Sequence, residues 1–368
     1  MNRLKVIAGI DLPLAPSCGS MILCSDLYGE LHDAMNAVFV SLPKEDSTWN
    51  HGFETVLECD ISKAPYGPLF ERYVDELTSV VTLALSRNRP NLVHAHHLGF
   101  GLSLAFCRAA QSLPLVSFAH GTDVIEAEAS QQALSALCEV VARSCQVILP
   151  TRSLLERVQD LTCGKWDDKL RLISWGIPLD KVSSIHEPSE DSILRLLYAG
   201  RLDSNKAVDT VIEALAATES PHHLTVIGRG DQLSVLQSRA VELTIDHRVL
   251  FRPFVARDEL WRRFRDYDAL VISTAGLEAF GLVAIEAQAH GLPVIYSDVG
   301  GLCDILGLSG LGYRAGDSAE LARTIDLLAQ GSTLRRKLRE DSLRNASRYD
   351  VRVTARAVLD CSMQAVHR

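Results

Sequence analysis

Thr274-Ala275-Gly276-Leu277-Glu278-Ala279-Phe280-Gly281-Leu282-Val283-Ala284-Ile285-Glu286-Ala287-Gln288-Ala289-His290-Gly291-Leu292-Pro293 places two carboxylates on either side of a glycine at the start of an alanine-rich segment. The apolar residues just upstream predict a strand ending near Ser273, and the alanine-rich segment predicts a helix beginning about Phe280. The amides of that helix start then open at the carboxyl edge of a parallel sheet, where such sheets bind ligands. Amides without intrahelical partners, together with the positive end of the helix dipole, make a seat for a diphosphate. Gly281 lets the anion come close. Glu286 falls four to six residues into the helix, roughly 6–9 Å beyond the phosphates, a distance that suits a ribose. Glu278 brackets the anion from the other side and is placed for the hydroxyls of a sugar.

Two further stretches repeat this strand-to-loop arrangement. Tyr198-Ala199-Gly200-Arg201-Leu202-Asp203-Ser204-Asn205-Lys206 runs from a strand end to a helix start. It offers the planar fork of Arg201 and the point charge of Lys206 to the same diphosphate. Phe118-Ala119-His120-Gly121-Thr122-Asp123 closes a strand of the first half, and glycine after His120 permits close approach to a sugar.

The spacing Glu278-x7-Glu286, within an E-x-F-G-L-x-x-x-E-A frame and followed by Gly291-Leu292-Pro293-Val294-Ile295 and Gly300-Gly301, resembles the retaining GT-B glycosyltransferases of family 4. The resemblance implies an α/β GT-B fold: two Rossmann-like domains with parallel sheets facing across a cleft, and a C-terminal helix crossing back. It implies transfer of a hexose-type sugar from a nucleoside diphosphate sugar, UDP-sugar first among them, with retention, no metal and no cofactor. On the family's G-R-x4-K pattern it assigns Gly200, Arg201 and Lys206 to the donor phosphates. Ala279, Phe280, Gly281 and Leu282 join them, and Glu286 takes the ribose. His120 is placed beside the transferred sugar, so that His120, Arg201, Lys206 and Glu278 form the catalytic set. The family's glycine-rich loop falls on Pro16-Ser17-Cys18-Gly19-Ser20, with Gly19 on the donor side and one glycine of the usual pair replaced. Phe254, in Phe251-Arg252-Pro253-Phe254, falls where the base is met, although Pro253 removes an N–H. Ser20, His96 and Asp123 are the acceptor-side candidates.

Length and composition agree with a two-domain globular enzyme. A chain of 368 residues with 47% hydrophobic and 23% charged residues exceeds one ordinary core. Short β-branched runs at 4–10, 37–42, 54–58, 92–96, 114–119, 146–149 and 169–174 alternate with helical stretches. The pattern restarts at Leu194, with further strands at 223–228, 248–251, 268–273 and 292–296. The polar run His186–Ser192 reads as a linker, giving domains over 1–187 and 193–345 and a C-terminal helical segment over 346–368. A net charge of −9 argues against a nucleic-acid binder. Nine cysteines without a C-x-x-C pair suit a reduced cytoplasm. The start lacks the regions of a signal peptide, and no apolar run spans a bilayer; attachment to a membrane surface stays open.

Three other signals are set aside. Asp266-Tyr267-Asp268 spells D-x-D but precedes a strand, so it lies at the amino edge of the sheet. His94 and His96 share one face of a strand, without a cysteine or carboxylate in ligand spacing. Gly228-Arg229-Gly230 lacks the third glycine of a dinucleotide fingerprint. The acceptor is expected to be a small soluble molecule, such as an aminocyclitol or other secondary metabolite, rather than a membrane lipid. A nucleotide-sugar epimerase, a non-glycosidic coupling enzyme and an inactive nucleotide-sugar-binding module share the same donor site and stay open.

Overall fold

The computed structural model describes residues 3–44, 49, 51–183 and 191–367. All of the expected linker except Asp191 and Ser192, and the expected domain limit at 187, lie outside these residues. The chain divides into two compact units, one of residues 1–176 with 351–368 and one of residues 177–350.

The first unit holds a seven-stranded parallel sheet: β1 (Leu4–Pro13), β2 (Met35–Leu42), β3 (Thr55–Glu58), β4 (Leu92–His96), β5 (Leu115–Phe118), β6 (Gln146–Leu149) and β7 (Leu170–Leu172). Their order in the sheet is β3-β2-β1-β4-β5-β6-β7. All five residues of β4 are buried, as are all four of β5 and of β6, because helices cover both faces of a parallel sheet. The edge strand β3 is only half-covered. The helix Phe70–Asn88 buries Phe70, Tyr73, Val74, Leu77, Val81 and Ala84, the three-to-four spacing of one apolar face. It stops at Arg89, which takes a left-handed backbone. The C-terminal helix Val351–Val366 belongs to this unit and packs on the helix Gly19–Leu31.

The second unit repeats the plan with β8 (Arg195–Ala199), β9 (His223–Ile227), β10 (Val249–Arg252), β11 (Ala269–Ile272), β12 (Val294–Ser297) and β13 (Leu311–Tyr313) in the order β10-β9-β8-β11-β12-β13, all parallel. Both sheets therefore reverse direction of winding once, between β1 and β4 and between β8 and β11. A crevice forms at the carboxyl ends of the strands at such a reversal.

Two local expectations change. The helix after β11 spans Leu282–Ala289 rather than starting at Phe280, because Gly281 adopts φ +74 and caps it. β13 has no counterpart in the sequence reading, being three residues in a glycine-rich run. Asp268 of the D-x-D is 1% exposed and accepts bonds from the backbone N–H and guanidinium of Arg195. It thus ties the amino ends of β8 and β11 together.

Candidate functional site

In the second unit the loops leaving β8 and β11 meet at the sheet's reversal. Asn205 O accepts from Ala275 N at 2.8 Å, and Ser273 Oγ donates to Lys206 O at 2.7 Å. Lys206 closes a short turn, Ser204–Lys206, which Asp203 caps. From there its ammonium reaches Glu278 Oε2 at 2.5 Å, and Thr274 Oγ1 donates to the same oxygen at 3.1 Å. Burial pushes the Glu278 carboxyl up, but Lys206, Thr274 and Arg201 outweigh it and hold it below its ordinary value. Arg201 is exposed and pairs with Asp203 at 3.2 Å. Glu278, Arg201 and Lys206 therefore share one electrostatic cluster, as the sequence spacing predicts.

Glycine positions the backbone of this cradle. Gly281 offers no side chain to cap the helix it opens, and the first-turn amides of a helix have no intrahelical partner. A Cβ on Gly301, at φ +86, would stand 1.7 Å from Glu278 O. The variant Gly301→Ala is expected to displace the Glu278 loop and to lose about 1–3 kcal/mol of stability through strain. Thermal unfolding and donor-induced shifts in melting measure both effects; unchanged values would show that the loop does not depend on this approach.

Gly228 and Gly230, discounted as a fingerprint, have a different physical reason. A Cβ on either would lie about 2 Å from backbone oxygens of the β8 loop, 2.0 Å from Gly200 O and 2.1 Å from Leu202 O respectively. Arg229 between them lies 5.7 Å from the ring of Phe254, which follows β10. The side chain of Phe280 is 2% exposed and packs edge-on against Tyr349 at 5.6 Å, so only its backbone is available to a donor. Ala279 and Leu282 are partly exposed around it. Glu286 sits on the fifth residue of the helix, about 6 Å along its axis. It is 5% exposed, with Arg257 Nη1 3.8 Å away. Sequence reading missed Arg257, which no motif marks; its guanidinium lies 5.1 Å from the Trp261 ring.

In the first unit the corresponding edge carries four histidines. His94 Nε2 meets Ser362 Oγ at 2.9 Å, and Ser362 Oγ donates its only proton to Val358 O at 2.7 Å. His94 must therefore donate from Nε2. Burial pushes His94 down to about 3, so it is neutral and its Nδ1 is a bare acceptor for Tyr28 O–H at 2.9 Å. Tyr28 has then spent its proton and accepts from His96 Nε2–H at 2.9 Å. His96, also held neutral by burial, accepts at Nδ1 from His120 Nε2–H at 3.0 Å. His120 is itself pushed down to about 3 by burial, which leaves its Nδ1 as an unprotonated acceptor. The tautomer of His120 is thus set from the C-terminal helix through four side chains.

This chain relocates several sequence-predicted residues. His96, an acceptor-side candidate, is 1% exposed with both ring nitrogens engaged inside the protein. It stands behind His120. Asp123, another such candidate, is 1% exposed and accepts the N–H groups of Leu98, His120, Gly121 and Val124. It holds the His120 loop and is not directed at a ligand. Gly19 opens the helix Gly19–Leu31, where a Cβ would meet nothing within 4 Å, and Ser20 follows in its first turn. The absence of a nearby cysteine, used above to discount a metal at the histidines, does not hold in three dimensions. Cys24 Sγ lies 3.5 Å from His96 Nδ1, and Cys24, His96 and His120 each bring a donor atom within 4.8 Å of the others. Cys24 and Tyr28 lie one helical turn apart, so both face β4. His97 was also missed. It takes φ +71 and is 2% exposed, and its Nδ1 has no hydrogen-bond partner among the described residues. Its ring lies 4.7 Å from that of His120.

All nine cysteines are free thiols, and no helix among the described residues is long and apolar enough to cross a membrane.

Comparison with known proteins places both units. Residues 25–181 match the family described as Glycosyltransferase Family 4, and residues 184–344 match Glycosyl transferases group 1. The chain is 32% identical over 178 residues to an uncharacterized glycosyltransferase of Methanocaldococcus jannaschii, covering 44% of this chain and 45% of that protein. It is 32% identical over 251 residues to D-inositol 3-phosphate glycosyltransferase of Stackebrandtia nassauensis, covering 62% and 56%. The chain thus spans about half the length of these curated relatives. HepE of Anabaena, solved in complex with UDP and glucose, shares the fold with a TM-score of 0.81 at 19% identity, covering 97% of this chain and 99% of that one. With both halves matched and the fold shared along nearly its whole length, the chain belongs to the family 4 glycosyltransferases of GT-B architecture.

Proposed function

We propose that this protein transfers a hexose from a nucleoside diphosphate sugar to a small-molecule acceptor, with retention of anomeric configuration and without a metal. The observation that carries the reading is the Lys206–Glu278 contact at a glycine-opened helix start, beside Arg201, at the reversal point of the second sheet. In the reaction the bond from the anomeric carbon to the diphosphate oxygen breaks. A bond from that carbon to the acceptor oxygen forms on the same face, and the acceptor's proton ends on the departing diphosphate. Negative charge grows on the diphosphate as its bond breaks. Fixed cations and amides aimed there lower the barrier more than they tighten ground-state binding.

Lys206 and Arg201 are the cations, Leu282 and its neighbours supply amides, and Glu286 takes the ribose. The Nδ1 of His120 accepts a hydrogen bond from a hydroxyl of the transferred sugar. HepE was solved with UDP and glucose, which supports UDP as the nucleotide. Free thiols are consistent with a cytoplasmic setting.

A thermal-shift screen of nucleoside diphosphate sugars tests the donor, because a ligand that binds only the native state raises its melting temperature. One UDP-sugar is expected to raise it, to be hydrolysed slowly without acceptor, and to be turned over equally in excess chelator. No shift with any donor would overturn the reading. Binding without hydrolysis would identify a binding module, and loss of turnover in chelator would overturn metal independence.

A further inference from the structure

We propose that Cys24, His96 and His120 form a binding site for a thiophilic divalent cation of the zinc class, and that its occupancy stops turnover; the effect on turnover rests on the glycosyltransferase reading. Each of the three residues brings one donor atom within 4.8 Å of the others. Cys24 comes from the helix Gly19–Leu31, His96 ends β4 and His120 follows β5, so three separate elements of the first unit fix the set.

The protons of this cluster outnumber the lone pairs that face them. His96 Nε2–H is spent on Tyr28, so His96 Nδ1 offers a single lone pair to its other neighbours. Two donors converge on it: His120 Nε2–H at 3.0 Å and the Cys24 thiol at 3.5 Å. That is the thiol's one hydrogen-bond contact among the described residues. A single cation in place of the two protons gives all three donor atoms a partner. Bonds of about 2.3 Å to sulfur and about 2.0 Å to nitrogen, at tetrahedral angles, need S···N near about 3.5 Å and N···N near about 3.3 Å. The observed 3.5 Å and 3.0 Å meet this once the two rings part by about 0.3 Å. The adjustment falls on His120, which is partly exposed, whereas Cys24 is 0% and His96 1% exposed.

The donor set chooses the ion. One thiolate and two imidazoles suit zinc, and no carboxylate is among them, which disfavours magnesium and calcium. Buried Phe118 stacks on the His96 ring at 4.3 Å, an apolar wall that offers a hard, hydrated cation nothing. The ion enters past His120, and its fourth position goes to water.

Inhibition follows from the tautomer of His120. A cation on Nε2 moves the proton of the neutral ring to Nδ1, while the Cys24 thiol proton leaves to solvent. The nitrogen proposed to accept from a hydroxyl of the transferred sugar thereby becomes a donor. His96 needs no such change, because Tyr28 already holds its proton on Nε2.

Cobalt(II) and zinc test the site on the full chain, freed of metal by dialysis against chelator. One equivalent of cobalt(II) is expected to give the near-ultraviolet charge-transfer band of a thiolate ligand with the intense visible bands of four-coordination, and zinc is expected to bleach both. Saturating zinc is expected to lower donor turnover by about a hundredfold, with recovery in chelator and no effect of magnesium. Cys24→Ala is expected to lose the charge-transfer band, to turn over normally without metal, and to need about tenfold more zinc or more for half-inhibition. A donor-induced melting shift in Cys24→Ala shows that the variant folds. No thiolate band in the unaltered protein, or the same band in Cys24→Ala, means an adventitious ion only and would overturn the site. Cobalt held by Cys24 with turnover unaffected by zinc, or equal zinc sensitivity in Cys24→Ala, would overturn the inhibition. Failure of the glycosyltransferase reading looks different: no donor shift and no hydrolysis, whatever the cobalt spectrum shows.

Discussion

Lys206→Ala is expected to lower turnover by about two to three orders of magnitude, the usual loss when one fixed group facing developing charge is removed. The side chain has two duties, and the variant removes both. It would neutralise the departing diphosphate, and it neutralises Glu278, whose side chain is 16% exposed. Cutting one partner from a buried ion pair costs about 3–5 kcal/mol, and the residual exposure of this pair brings the loss toward the lower end. A fall in activity alone would therefore not separate chemistry from folding. The double variant Lys206→Met, Glu278→Gln replaces the pair by neutral groups of similar volume. It is expected to recover most of the melting temperature and none of the turnover. Recovery of turnover in the double variant would show that neither the Lys206 ammonium nor the Glu278 carboxylate takes part in the chemistry. Arg201→Ala is the complementary case: the Arg201 side chain is 64% exposed and its one ion pair among the described residues is with Asp203, so activity should fall with the melting temperature nearly unchanged.

The reason Lys206 and Glu278 could be paired from sequence is topological. Parallel β-α-β winding places the loop after β8 beside the loop after β11, because those strands are neighbours at the reversal point. Strand ends with glycine and charge were therefore legible as one site although 72 residues separate the two side chains. The helix start was misplaced because Phe280 and Gly281 do not announce which residue takes the left-handed backbone. β13 escaped because Leu311-Gly312-Tyr313 is too short for alternation to register.

The histidine cluster was legible only in its motif. His120 stood out by the glycine after it, but nothing periodic links Tyr28, His94 and Ser362, which belong to a helix, a strand and the C-terminal helix. Contacts made by packing faces of distant elements leave no spacing signal. The same limit made His96 look like a ligand contact and hid His97. Strand alternation points His94 and His96 to one face, and it takes the fold to show that Tyr28 and Ser362 already occupy that face.

Acidification from pH 7 to pH 5 is expected to unfold the first unit, because four histidines are held neutral by burial. His94 and His120 are pushed down to about 3, and His96 and His97 are lowered as well, from an ordinary value of 6.5. A lowered histidine gives stability that is fully present above 6.5 and is lost as pH falls toward its folded value, since only the unfolded chain takes up the proton. Each histidine then costs about 2 kcal/mol over this interval, and four cost on the order of 8 kcal/mol. Asp123 works in the opposite sense. Burial pushes it up to about 6 from 3.8, so the folded chain binds its proton first and regains about 1 kcal/mol. Asp11 and Glu126 are raised too and act in the same direction as Asp123, while Lys63 opposes both shifts. The net loss, on the order of 5 kcal/mol, equals the whole stability of many domains. Denaturant unfolding at pH 7, 6 and 5 measures it, and the steepness of the decline counts protons. His97→Asn keeps a residue that tolerates the left-handed backbone and removes one titrating group, so it is expected to flatten the decline by one proton. Equal midpoints at pH 7 and pH 5 would mean that the histidines gain their protons without leaving the fold, and the fixed tautomer of His120 would then have no basis.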